Sequence, residues 1–483
     1  MTTTCHSKYD STHSNTVRVG ILMFIGCFYV SMLRIHYSVI LLLYSNIAPY
    51  NIKNNCTKTK AAELELLNEK ERFLNPWQVA LVFAVYDLGA SLTLLFARQF
   101  QKVCGYTVYI GVAMLCSAIL TMLTPLAVIL KNLYLLVLVR FLTGALLSPI
   151  FPMINNLLTR WSPTSERNTY GVILLGSSIG IFTTILVYGN VILQLKHNTA
   201  YLMGTIVIIW CTVWLLYVKD DPEMHERITP EELEEIVRQR TTSVLGTTNR
   251  IRIPWREILR SSKIKSLALL IWCNTWNLVF FMDYLPMFYS QTTSNSFTEV
   301  MDWVALTLFA RFLGSIICLP IIKHLLITNM LSITVVRKIF TVFSHIIPGT
   351  IALGTLATDC LEIANIIKIM AIMVFNGAFV AGGFINVMDL TPHFAKNIYT
   401  PMMSVTGFSG CIMPFVVGYI LEYCVQRTSW RILSAICGAV YLLGGTVYII
   451  FGSASIQSWD VAYATRFSLT GIYIDNEDVD IQT

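Results

Sequence analysis

Polar and apolar positions follow one another along this chain in long blocks, not in the two-residue rhythm of a half-buried strand. Apolar runs of about 20 residues, the length a helix needs to cross a hydrocarbon core roughly 30 Å thick, recur from one end to the other. They fall at 18–46, 76–98, 106–128, 133–158, 168–193 and 200–218, then at 266–290, 300–326, 337–356, 362–388, 400–424 and 429–452. Twelve such runs, divided six and six by one long polar segment, predict an all-α membrane protein with two six-helix bundles. The expected organisation is a cytoplasmic leader at 1–17, a first bundle over 18–218 with an outer loop at 47–75, a cytoplasmic connector at 219–265, a second bundle over 266–452 and an acidic cytoplasmic tail at 453–483.

The polar flanks orient the spans. Arg18, Arg98, Lys102, Arg160, Arg167, Lys323, Arg337 and Lys338, with the basic residues of the connector from Arg238 to Lys265, fall on one side, which the positive-inside bias makes the cytoplasm. The loop after the first span also carries lysines, but interleaved with Glu63, Glu65, Glu69 and Glu71. Both termini are therefore expected in the cytoplasm. The leader lacks a short apolar core ending in a small-residue cleavage site, so the first span reads as a retained helix. This topology puts the sequon Asn55-Cys56-Thr57 outside, with Asn55 as a glycosylation acceptor. In the connector, Thr229, Pro230 and Glu232 spell a capping box with proline at the first helical position, predicting a surface helix over 230–240.

Composition strengthens the membrane assignment and narrows the chemistry. Hydrophobic residues make up 55% of the chain and charged ones 13%, against about a quarter charged in soluble domains. The net charge of +6 is concentrated in the flanks and the connector, which does not suggest nucleic acid. The 12 cysteines are scattered, and those in the spans (Cys27, Cys116, Cys211, Cys273, Cys318, Cys411, Cys437) read as small hydrophobes. Cys56 and Cys360 both face outward, and their pairing stays open. The sequence has no P-loop, H-E-x-x-H, G-x-S-x-G or glycine-rich strand-to-helix turn, so the chain is not expected to be an enzyme or to need a cofactor.

What remains is the set of ionisable residues inside the spans: Arg34, His36, Asp87, Arg140, Asp283, Arg311 and Lys368. Each is costly in hydrocarbon unless it meets a partner or a water-filled cavity. At 1.5 Å per residue Arg34 lies roughly 24 Å into the first span from the cytoplasm, and Arg140 enters the fourth from outside by about 10 Å. Two arginines at similar depth in one half suit a carboxylate or phosphate, which a guanidinium binds through two parallel hydrogen bonds; snorkelling or structural pairing is the alternative. His36 lies about 200° around the helix from Arg34, so the two do not both face a cavity squarely. Asp283 and Arg311 are expected to neutralise one another.

Motifs in a fixed order then carry a resemblance. "RVGILMFIGCFYVSMLRIHYSV", Trp77, "RFLTG", "FPMINNLLTRWSPTSERN", "GSSIG" and "DDPEMHERITPEE" in the first half are followed by "IPWREILRS", Trp276, "LPMFY", "TVVRKIF", "GGFINVMDLTP", "GCIMPFVVGYI" and "FGSASIQSW" in the second. Over about residues 17–460 the chain resembles the solute carrier 17 family of the major facilitator superfamily, which holds sodium/phosphate, sialin and vesicular glutamate transporters. It is most similar to insect members described as inorganic phosphate cotransporters. The resemblance implies two pseudosymmetric six-helix bundles with a central site opened alternately to each side. It assigns Arg34 and Arg140 to holding a small anion, and Asn386, Asp389 and Pro392, the N-x-x-D-x-x-P signature, to the structure of the inner gate; His36, where the family has asparagine, and Trp276 are further substrate-binding candidates, with helix packing as the alternative for His36.

The chain also departs from that family. Relatives carry glutamate or glutamine at the position of Leu147, seven residues after Arg140, and leucine holds no proton. The span-two pattern survives only in Gly89 and Thr93, and the acid-Arg-x-Gly gate motif reads "QKVCG". Asp87 is a gain at about the depth of Arg34: either a relocated coupling site for sodium or proton, or a permanent ion partner of one of the arginines. The glycines at 176, 180, 407 and 410 read as close-packing positions. The expected function is cation-coupled secondary transport of a small organic or inorganic anion by a monomer in the lipid bilayer. The alternatives are a transport-deficient binding protein or an uncoupled anion uniporter. No dileucine or tyrosine sorting signal is evident, which favours the plasma membrane over lysosomal or vesicular membranes.

Overall fold

The computed structural model of the chain describes residues 15–45, 73–161, 173, 175–195, 198–234, 236–237, 253–293, 295–328, 330–354, 362–424 and 426–461. Long helices follow the apolar runs. In the first half they are α1 (Asn15–Tyr44), α2 (Pro76–Leu95), α3 (Tyr106–Ile129), α4 (Leu133–Trp161), α5 (Gly176–Leu195) and α6 (Asn198–Tyr217). In the second half they are α7 (Ser262–Thr292), α8 (Phe297–Ile327), α9 (Ile333–Gly354), α10 (Glu362–Leu390), α11 (Ala395–Tyr423) and α12 (Gln426–Phe451). Among the described residues 11 helices are long and apolar enough to cross a membrane, and α5 holds a shorter apolar helix, Gly176–Ile192. Asn55, Cys56, Arg167 and Cys360, most of the leader and outer loop, and the acidic end of the tail lie outside the described residues.

The surfaces of these helices are those of a protein dissolved in lipid. On α6 the exposed residues Leu202, Ile206, Ile209, Val213 and Leu216 form one apolar stripe, while Val207, Trp210, Cys211 and Trp214 are buried on the other face. Both faces are apolar, so water is not the solvent for either.

Among the described residues the chain clusters into two units, one of Met1–Ile40 with Leu92–Asn249 and one of Leu41–Ser91 with Arg250–Thr483. The first unit is built around buried Val19, Met23, Met114, Leu147, Ile154 and Trp214. Glycine lets α5 approach α1: a Cβ on Gly180 would lie 2.5 Å from the Phe28 carbonyl oxygen. In the second unit most of α2, expected with the first bundle, packs on α11. Ser404 Oγ donates to the Ser91 carbonyl at 2.5 Å, Trp77 meets Phe415 at 5.4 Å, and a Cβ on Gly410 would lie 2.7 Å from Asp87 Oδ2.

At the end of the first unit that carries Arg160, the "DDPEMHERI" stretch fastens the helix ends. Asp220 accepts from the backbone N–H of Tyr106 at 3.0 Å and of Thr107 at 2.7 Å, capping α3. Its carboxylate leaves no room for a side chain at Gly105, whose φ of 77° also demands glycine. Asp221 takes Arg160 at 2.8 Å. The connector's capping box forms in part: Glu232 N–H donates to Thr229 Oγ1 at 3.3 Å and residues 230–234 are helical. The Glu232 carboxylate also accepts from the Thr16 N–H at 2.8 Å and from its hydroxyl, a long-range cap that starts α1 at Asn15.

His225 sits in this latch, edge-on to Trp161 at 5.4 Å and to Tyr217 at 5.1 Å. Burial lowers its pKa below the ordinary value, against the opposing pull of Glu232. Its Nδ1 accepts from the Arg227 N–H at 3.3 Å, which requires that nitrogen to be unprotonated. The unfolded histidine takes a proton near pH ~6.5 that the folded one resists. Stability is thus fully present above that pH and is lost as pH falls toward the lowered folded value. The thermal midpoint of the purified protein is expected to fall between about pH 7.5 and 5.5, and to fall less in His225→Phe. An equal fall in the variant would assign the effect elsewhere.

Candidate functional site

Helix α1 places Arg34 and Tyr37 three residues apart, on one face. Arg140 reaches them from α4. Its side chain is buried, 1% exposed, and its guanidinium lies over the Tyr37 ring, 4.2 Å from the centroid. Nη1 donates to the Arg34 carbonyl at 3.4 Å. The Tyr37 hydroxyl and Thr124 Oγ1 on α3 share a hydrogen bond of 2.5 Å, so three helices fix the ring on which the arginine stacks. Neither the ring nor the carbonyl neutralises the guanidinium's charge; they orient it. Arg34 itself is half-buried.

The other expected ligand of this half is placed differently from Arg34, as the 200° offset requires. His36 is wholly enclosed, its ring 4.3 Å from that of Tyr37 and 6.2 Å, edge-on, from Tyr188 of α5. These contacts are those of a packing residue, coupled to the arginine through Tyr37. Leu147, two turns beyond Arg140, lies in the apolar core. Asp87 is buried on α2 against Gly410, in the second unit.

In the second unit, Trp276 is buried on α7, its ring 5.4 Å from Trp272. The signature residues of α10 act at its end. Asp389 Oδ2 accepts from Arg337 Nε at 2.7 Å, and Arg337 Nη1 donates to the Ala381 carbonyl at 2.5 Å. Asn386 Nδ2 donates to the Tyr448 hydroxyl at 2.5 Å and to the Ser453 carbonyl at 3.1 Å, tying α10 to the end of α12. Pro392 follows on the surface. The expected Asp283–Arg311 pair is not formed: Arg311 Nε donates instead to Asn376 Oδ1 at 2.9 Å.

Three residues of these arrangements escaped the reading of the sequence. Tyr37 carried a usable signal, an aromatic three residues from an intramembrane arginine. Arg337 looked like a solvated flank but is buried, 3% exposed. Asn376 gave no signal, because an uncharged amide in an apolar run does not stand out.

Comparisons with known proteins agree with this architecture. A family model described as Major Facilitator Superfamily matches residues 19–418. A Drosophila ananassae protein named "Putative inorganic phosphate cotransporter" is 25% identical over 406 residues, covering 80% of this chain and 81% of its own. Mouse sodium-dependent phosphate transport protein 3 is 23% identical over 457 residues, with 91% and 94% covered, and human vesicular glutamate transporter 2 is 23% identical over 448, with 90% and 75% covered. Among solved structures, a D-xylose-proton symporter superposes with a TM-score of 0.63 at 10% identity, covering 92% of this chain and 100% of its own. A POT family transporter in complex with 5-aminolevulinic acid gives 0.61 at 13% identity, with 90% and 96% covered.

Proposed function

The chain belongs to the Major Facilitator Superfamily, and from that premise we propose that it carries a small organic or inorganic anion, phosphate or carboxylate, across the membrane by alternating access. The observation that carries this reading is the Arg140 guanidinium, stacked on Tyr37 beside Arg34 inside a lipid-embedded bundle. A cation so held is oriented before its ligand arrives, which favours bidentate binding of an oxyanion. The similar proteins support the substrate class: they are named as phosphate and glutamate transporters. His36 supports the site by packing Tyr37, and Trp276 is carried as a substrate-binding candidate of the second half. Asn386, Asp389 and Pro392 hold the end of α10, where the inner gate would turn. The protein is a multi-pass membrane protein, and the reading places it at the plasma membrane with both termini in the cytoplasm.

Coupling is assigned to Asp87. Leu147 offers no carboxylate and is packed in apolar core, so a proton or sodium ion needs another acceptor, and Asp87 is a buried acid on a helix seam, against α11. The test separates coupling from transport. In Asp87→Asn, exchange of labelled against unlabelled phosphate across proteoliposomes is expected to persist, while uptake driven by a sodium or proton gradient falls at least tenfold. Equal gradient-driven uptake in both proteins would remove Asp87 from coupling and favour an uncoupled carrier.

A further inference from the structure

Arg311 lies midway along α8, roughly 20 Å from either end at 1.5 Å per residue. That is the costliest depth for a charge. Among the described residues no carboxylate lies within ion-pair distance of it, and its hydrogen bond goes to a neutral amide, from Nε to Asn376 Oδ1 at 2.9 Å. The amide's orientation is forced. Asn376 is wholly buried and its Nδ2 donates to Asn274 Oδ1 at 2.9 Å and to the Ser344 carbonyl at 3.3 Å, so only its oxygen is left for the arginine. Helices α7, α9 and α10 therefore hold Arg311 by one nitrogen and leave its positive charge uncompensated by any of these groups.

A second polar group belongs to the same cluster. Tyr441 on α12 is wholly enclosed, its hydroxyl has no hydrogen-bond partner among the described residues, and it joins the Arg311 cluster through Asn376, Ser344 and His345. His345 fixes its ring edge-on at 5.6 Å, and is itself held by a 2.9 Å hydrogen bond between its Nδ1 and Ser344 Oγ. A buried hydroxyl without a partner, in one cluster with a guanidinium that has no carboxylate, is a set of donors lacking its acceptor.

We propose that Arg311 and Tyr441 form a second anion site, built within the second bundle, that takes a singly charged oxyanion group such as a carboxylate or monobasic phosphate. One guanidinium supplies one compensating charge, and the phenol supplies one further hydrogen bond. The depth of Arg311 puts the site beyond lipid headgroups, so the ligand is a free anion. This goes beyond the Arg34 and Arg140 site and does not depend on it.

Equilibrium binding of labelled inorganic phosphate and labelled glutamate to the purified full chain in detergent tests the proposal, with anion-dependent thermal shift as a second readout. Arg311→Gln is expected to weaken binding of at least one probe tenfold or more, Arg311→Lys less, and Tyr441→Phe three- to tenfold. Arg140→Gln is expected to leave part of the anion effect intact. Folded Arg311→Gln and Tyr441→Phe proteins that bind both probes like the wild type would overturn the site; if the first does not fold, Tyr441→Phe decides alone. Loss of every anion effect in Arg140→Gln overturns this site and leaves the first-bundle reading standing. Full retention there, with loss in Arg311→Gln, does the reverse. A folded wild-type protein that binds neither probe overturns the proposal.

Discussion

Replacing Arg140 by glutamine is expected to reduce anion flux, and the affinity of the first-bundle site, at least 100-fold while leaving the fold intact. Glutamine is uncharged and too short to replace the Nη1 contact with the Arg34 carbonyl, so it tests the guanidinium without adding bulk. Each hydrogen bond from a charged donor contributes about 1.5–3 kcal/mol, and an oxyanion gripped by a guanidinium engages two, so losing both exceeds the roughly 2.7 kcal/mol of a 100-fold change. Arg140→Lys is expected to recover little, because a compact ammonium neither stacks on Tyr37 nor offers a planar fork. Tyr37→Leu, which removes the ring and its bond to Thr124 but leaves the charge, is expected to cost about tenfold. These are read as apparent affinity in equilibrium binding and as initial rate in proteoliposomes. An Arg140→Gln protein that folds and transports normally would mean that the arginine is a structural cation.

The second large effect is on stability and arises at the end of α10. Arg337→Ala is expected to destabilise the second bundle by about 2–3 kcal/mol, because it removes the donor to Asp389 and the donor to the Ala381 carbonyl together. The lower end of that range is expected, since the Asp389 side chain keeps 19% of its exposure and water compensates part of its charge. The double variant Arg337→Ala with Asp389→Ala is expected to be less destabilised than the sum of the two single changes, since no charge is then left stranded. The measurement is the fraction of folded protein against temperature in detergent. Strict additivity would show that the two side chains are adjacent without depending on each other.

How much of this was legible in the sequence depended on the range of the forces involved. Hydropathy fixes which segments enter lipid, so the helical runs and the break at the connector could be read directly. Helix ends were harder, because they depend on caps. Ser296 and Glu299 form a full capping box that starts α8 at Phe297, three residues before the apolar run suggested, and a local pattern of that kind is readable when looked for. The start of α1 at Asn15 was not readable, since its cap is the Glu232 carboxylate more than two hundred residues away. The first half of the candidate site was visible as Arg34 and Arg140 because charge in an apolar run is conspicuous. Their geometry was not: that Arg140 stacks on Tyr37 follows from the approach of α4 to α1, which no local pattern encodes. The Arg311 and Asp283 guess failed for a related reason. Opposite charges suggest a pair, but the folded chain gives Arg311 an amide that two other buried groups hold in place.

The proposed transport moves an anion that Arg140 helps to hold. Its most direct measurement is uptake of labelled phosphate and glutamate into proteoliposomes holding the purified protein, with sodium and proton gradients imposed separately. Saturable uptake of at least one of the anions is expected, driven by one gradient and abolished by Arg140→Gln. Folded, correctly inserted protein that moves neither anion, under either gradient or in exchange, would contradict it.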